Sequence, residues 1–157
     1  MPLTHSSTKY RLSWDVPFEP GELTVKAYNN LGELKARKNI RTAGKPAQIK
    51  LIPDRKVITA DGKDLSYITV RIEDRDGNLC PEADNLVEFS VEGAGHFRAV
   101  GNGNAATTES FIEPKRKAFS GMCMLIVQSD ENKQGKMNIT ATSKGLKTAK
   151  TTINVEL

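Results

Sequence analysis

Apolar and polar residues alternate through most of this chain with a period of two, the spacing that belongs to β-strands. Tyr10, Leu12 and Trp14 alternate with Arg11 and Ser13, and Leu23, Val25 and Ala27 alternate with Thr24 and Lys26. Residues 33 to 41 read as a third, highly charged strand, because Gly32 and the shortness of the segment disfavour a helix over Leu31, Leu34 and Lys38. Further on, Ile49 and Leu51 share a face and Val57 to Thr59 resumes the pattern. Ile68, Val70 and Ile72 are expected inward, with Thr69, Arg71 and Glu73 outward. Val87, Phe89 and Val91 alternate in the same way with Glu88, Ser90 and Glu92. Phe119 to Gln128 is different: it is apolar on both faces, which predicts a strand buried on both sides or covered by a neighbour. Met137, Ile139 and Ala141, then Ala149, Thr151, Ile153 and Val155, supply the last two strands.

Turn chemistry separates these runs at Pro20-Gly21, Asn29 to Gly32, Asp61-Gly62, Asp76-Gly77 and Lys144-Gly145. Cys80-Pro81 excludes a helix, and two small-residue clusters follow, Gly93-Ala94-Gly95 and Gly101-Asn102-Gly103-Asn104. Such clusters mark backbone that turns with positive φ or approaches another group closely. No βαβ pattern occurs. About seven or eight short strands between turns predict an all-β fold, an immunoglobulin-like antiparallel β-sandwich over residues 44–157. It lacks the Cys–Trp–Cys signature of antibody domains. Residues 1–43 are expected to be the C-terminal strands of a preceding β-sandwich module plus a linker, since three strands bury too little to stand alone.

Composition narrows the function classes. With 38% hydrophobic and 27% charged residues, the 157-residue chain can bury a core. Aromatics at 6% argue against a surface built of stacking platforms for sugars or bases. The net charge of +4 is mild, and the one dense basic run, Lys115-Arg116-Lys117, reads as a solvated loop. Nucleic acid is therefore not an expected partner. No apolar run approaches the ~20 residues that span a bilayer, so membrane insertion is not expected either. Cys80 and Cys123 are expected as free thiols, one in a loop and one in a central strand. The opening MPLTHSSTKY reads as an arbitrary start, which would leave a parent protein's targeting signal outside this sequence.

Little catalytic chemistry emerges. There is no GxSxG motif, and the two histidines, His5 and His96, lie far apart, with His96 expected as an exposed or half-buried packing residue at a strand edge. Glu19, Glu82, Glu109 and Glu113 fall in loops at spacings that single out no acid–base pair. Asp74, Asp76 and Asn78 are similar to the start of a calcium loop, but the glycine comes one residue early and the terminal glutamate is missing. A hairpin turn is expected there, and a calcium site would need Asp84 or Asp61 to fold back onto it. The glycines of 101–104 precede neither a helix nor a Walker lysine, so no phosphate cradle is expected. Asn102 and Asn104 are candidate carbohydrate contacts through their amides, and Trp14 is a candidate stacking face, although Trp14 also suits the core of the first block. No catalytic residue, cofactor or metal ligand is assigned.

Trp14-Asp15-Val16-Pro17-Phe18-Glu19-Pro20-Gly21-Glu22-Leu23, followed by Val25 to Tyr28, resembles a segment near the C-terminus of bacterial family 2 glycoside hydrolases of the β-galactosidase group. Thr42 to Pro46 resembles the junction into their next module. Asp74 to Phe89, Gly93 to Gly95, Gly101 to Asn104, Arg116 to Phe119, Gly121 to Ser129 and Ser143 to Leu146 resemble that immunoglobulin-like module. The chain departs at Phe18, where tyrosine is usual, and at Ala105 to Thr108, where a proline is expected. The resemblance implies a parent that hydrolyses terminal β-galactosides with retention, using two glutamates of a (β/α)₈ barrel. Such a barrel needs roughly 250 residues of alternating strand and helix, and none of that pattern is in this sequence.

The expected function is thus a non-catalytic C-terminal accessory domain of a β-galactosidase-like enzyme, supporting the catalytic barrel, subunit contacts or substrate access. Its expected partners are the other domains of the parent chain, with carbohydrate and a second copy as further candidates. The parent is expected in the periplasm or secreted, with the cytoplasm kept open. An adhesin-type immunoglobulin module is the alternative that Thr69 to Asn78 would fit, although no internal repeat is visible.

Overall fold

A computed structural model describes residues 11–157 and the backbone of His5–Thr8. The expected position of Tyr10 lies outside the described residues. Two units are present, Met1–Thr42 and Ala43–Leu157.

In the first unit β1 (His5–Thr8) pairs antiparallel with β2 (Arg11–Trp14), and β3 (Glu22–Tyr28) pairs antiparallel with β4 (Leu34–Arg41). Asn29 closes the second hairpin: its Oδ1 accepts from the N–H groups of Leu31 at 3.0 Å and Glu33 at 2.9 Å, while Gly32 takes φ 77°. Glu22 ties the open end, accepting from Arg41 Nε at 2.6 Å and Asn39 Nδ2 at 2.8 Å. Charge pairing rather than burial shapes this hairpin, for every residue of β4 is exposed. Trp14 is 44% exposed, so the core role that its aromatic bulk allowed is not the one it has here.

The second unit is a sandwich of two sheets, matching the expected immunoglobulin-like architecture. One sheet has the order β10 (Lys115–Lys117), β8 (Leu86–Gly93), β12 (Gly135–Thr142), β13 (Ala149–Glu156), β6 (Val57–Thr59). The other has the order β5 (Gln48–Pro53), β7 (Leu65–Glu73), β11 (Met122–Ser129), β9 (Gly95–Gly101). All ladders of this unit are antiparallel except the parallel pairing of β6 with β13. The inward positions meet between the sheets. Ile68, Val70 and Leu125 from one layer and Val87, Ile139 and Ile153 from the other are fully buried. Burial of such side chains contributes about 1.5–3 kcal/mol each relative to exposure.

Three expectations need correction. The strand β11 alternates after all: Cys123, Leu125 and Val127 are buried, whereas Met122 and Met124 are exposed on the outer face. Glu73, expected outward, is buried at the end of β7, 3.3 Å from Arg71 Nε. The basic run is no solvated loop, for Lys115 to Lys117 form β10 and put Arg116 opposite the buried Val87. The guanidinium consequently faces the interior, and Arg116 is 0% exposed.

Candidate functional site

Arg116 organises the loops in which the candidate asparagines lie. Its Nη2 donates to Asn102 Oδ1 at 3.2 Å and its Nη1 to the Glu109 carbonyl at 3.1 Å. Its Nε is 3.8 Å from the Glu109 carboxylate, and the Phe111 ring covers the guanidinium at 4.8 Å. A buried cation requires such surroundings, because leaving water costs several kcal/mol per ion. Glu109 also accepts from the Lys117 N–H at 3.2 Å, which couples β10 to the loop before it.

Asn102 is used up by this arrangement. Its Nδ2 donates to the Lys117 carbonyl at 2.9 Å, and its Oδ1 also accepts from the Asn104 N–H at 3.1 Å. Asn104 Oδ1 accepts from the Ala106 N–H at 3.0 Å, closing a local turn. Trp14 belongs to the first unit and these asparagines to the second. The Gly93 to Gly95 cluster serves strand packing. Gly93 has φ 104°, and a Cβ there would collide with the Lys136 carbonyl of the neighbouring β12. Sequence reasoning missed Arg116. The clue is its position: the middle residue of a three-residue strand points to the opposite face from both neighbours.

At the Asp74 turn the carboxylate is ringed by N–H donors. Oδ2 accepts from the Gly44 N–H at 2.8 Å and Asn78 Nδ2 at 3.0 Å. Oδ1 accepts from the N–H groups of Asp76 and Asn78, each at 2.9 Å. These bonds, with that of Gly44 foremost, lower its pKa from 3.8 to about 2. Lone pairs directed at N–H groups are not available to a cation, and this is the geometry of a turn. Asp61, named as a residue that could fold back, instead accepts from the N–H groups of Lys63 and Asp64 at 2.8 and 2.7 Å.

Other carboxylates are perturbed in the same direction. Hydrogen bonds and cations outweigh the upward push of burial at Asp54, and the Thr59 N–H and Arg55 lower Asp64. His96 and Lys133 lower Asp130, which lies 2.7 Å from His96 Nδ1. His96 is exposed and serves this pair rather than packing. A general acid of glycoside hydrolysis needs the opposite displacement, a carboxyl held protonated near neutral pH. Burial pushes the Cys123 thiol up to about 12 and raises that of Cys80, so neither is poised as a nucleophile.

Comparison with known proteins gives this geometry its setting. Residues 49–152 match the model of the glycoside hydrolase family 2 C-terminal domain 5, and residues 2–36 match a domain of unknown function, DUF4982. The β-galactosidase BoGH2A of Bacteroides ovatus is 51% identical over 145 residues, which cover 92% of this chain and 17% of that protein. Among solved structures, a glycosyl hydrolase family 2 member from Bacteroides cellulosilyticus superposes with a TM-score of 0.84 at 37% identity. That match covers 94% of this chain and 19% of the other. A β-glycosidase from Bacteroides vulgatus superposes with a TM-score of 0.85 at 28% identity, over 92% of this chain and 18% of the other. The chain therefore spans less than a fifth of each of these three relatives. These matches favour the glycosidase setting over the adhesin alternative, and by the family match the chain belongs to the glycoside hydrolase family 2 C-terminal domain 5 family.

Proposed function

We propose that this chain is a non-catalytic accessory region of a longer family 2 glycoside hydrolase that acts on β-galactosides. The observation that carries the reading is the 51% identity to a β-galactosidase of which the matched residues form only 17%. In this reading the chain supports the catalytic barrel, subunit contacts or substrate access, and the parent works in the periplasm or outside the cell. In the second unit a weak carbohydrate contact would fall to the amide nitrogen of Asn104, since both amide groups of Asn102 are engaged within the loop, and in the first unit, separately, to Trp14.

The test is an assay of this chain and of its full-length parent on a nitrophenyl β-galactoside. The parent should turn the substrate over and the chain should not. Turnover by the chain alone would sink the reading. Calorimetric titration of the chain with galactans decides the carbohydrate contact separately.

A further inference from the structure

The two outer faces of the sandwich differ in chemistry. On the five-stranded sheet the outward residues are mostly polar, as Glu88, Glu92, Lys136, Asn138, Lys150 and Thr152 show, and its exposed apolar residues Leu86 and Val57 stand apart, on β8 and on the edge strand β6. That is the usual condition of a sheet face that meets water. On the four-stranded sheet, Ile52, Thr69, Met124 and Gly101 stand in one cross-strand row, with Tyr67, Ile126 and Ala99 in the next. Ile52 and Tyr67 are 41% exposed, Met122 40% and Met124 38%, on three adjacent strands. Beside these rows Met122 stands opposite Arg71, which itself pairs with Lys50, so the apolar patch has a basic margin, and an exposed apolar patch with a polar rim marks an interaction site. The apolar run of β11 has the composition of a strand covered on both faces, yet within this unit its outward Met122 and Met124 are exposed.

We propose that this face, centred on Met124, is the docking surface for another part of the same enzyme polypeptide, one that presents apolar side chains with carboxylates beside them. The inference rests on the reading that the chain belongs to a longer enzyme. Length supports that occupant, for more than four-fifths of the matched relatives lies outside the matched region. Charge argues against a second copy. The exposed basic residues on the two edge strands, Lys50 on β5 and Arg98 on β9, would face their own kind across an isologous contact. A sugar is disfavoured because Tyr67 is the one aromatic ring in the two rows.

Limited peroxide oxidation read by mass spectrometry tests this, with the buried Met137 as internal control. Met122 and Met124 should oxidise readily in this chain and roughly tenfold more slowly in the full-length parent, with Met137 slow in both. Met124→Glu in the parent should restore oxidation of Met122, while Asn138→Glu on the opposite face should not. Equal oxidation of Met122 and Met124 in chain and parent overturns the proposal. So does protection in the chain alone: rising with concentration it means a second copy, independent of concentration it means the chain's own first unit, and on addition of galacto-oligosaccharide it means a sugar site. A parent that protects both methionines but lacks β-galactosidase activity leaves the docking surface standing and removes only the assigned activity.

Discussion

The Gly44 N–H donates to Asp74 Oδ2 at 2.8 Å, joining residues 30 apart in sequence and fastening the start of the second unit to the turn after β7. The bond is to an ionised carboxylate that is 4% exposed, a strong class of hydrogen bond. Because the folded-state pKa of about 2 lies below the ordinary 3.8, ionisation stabilises the fold fully above roughly pH 5 and progressively less as pH falls through 2. Asp74→Asn should lower the melting temperature at pH 7 and flatten the loss of stability on acidification. Thermal melts of both proteins from pH 7 to pH 2 check this, and parallel curves would count against it.

Arg116→Ala removes the cation on which the 102–117 loops are wound and leaves Asn102 Oδ1 and the Glu109 carbonyl with one partner fewer. A loss of about 2–3 kcal/mol in urea unfolding is expected, from the two hydrogen bonds that the buried cation makes. Arg116→Lys should recover little of it, because an ammonium cannot bond Asn102 and Glu109 in a planar fork while stacking on Phe111. Full recovery by lysine would show that charge alone anchors the loops.

Val70 is fully buried on β7, whereas Thr69 points to the outer face. Val70→Asp places an unpaired charge in the core and should unfold the second unit, given a margin of about 5–15 kcal/mol. Thr69→Asp should leave the melting temperature of this chain nearly unchanged. Circular dichroism melts that coincide for the two variants would refute the assignment of faces.

Two glycines separate backbone conformation from steric closeness. Gly121 has φ 74° and a Cβ there would collide with the Cys80 carbonyl, while Gly145 has φ 80° with nothing within 4 Å. Gly145→Ala should cost about 1 kcal/mol, the strain of the left-handed region alone. Gly121→Ala should cost clearly more, since a tight turn must shift away from the loop at Cys80. Comparison of denaturant midpoints measures the difference.

Both thiols are buried, and Cys123 is held protonated up to about 12. Iodoacetamide at pH 8 should label neither in the native chain and both in urea. Native labelling of Cys123 would mean that β11 opens readily.

Much of the fold was legible because burial on one face of a sheet imposes a period of two, and β7, β8, β12 and β13 keep that period closely. On β11 the pattern was misread for a physical reason: Met122 and Met124 are apolar yet outward, and polarity reports a face only where water is the neighbour. Arg116 failed in the reverse sense. A basic tripeptide reads as solvated, and its inward turn depends on register with Val87 and on acceptors 7 and 14 residues upstream. At the candidate site, sequence singled out the amide groups of Asn102 and Asn104 as hydrogen-bonding groups. It could not reveal that neighbouring backbone and Arg116 would consume most of that capacity.

The parallel ladder between β6 and β13 has a consequence in time. Val57–Thr59 pairs with Asn154–Glu156, so β6 has its described ladder only with a strand made nearly a hundred residues later. On the ribosome, β6 must wait in an unpaired state while β7 to β12 emerge, and contacts of such long sequence separation close slowly. The five-stranded sheet therefore acquires that edge only after β13 has emerged, and during that interval the three residues of β6 are open to mispairing.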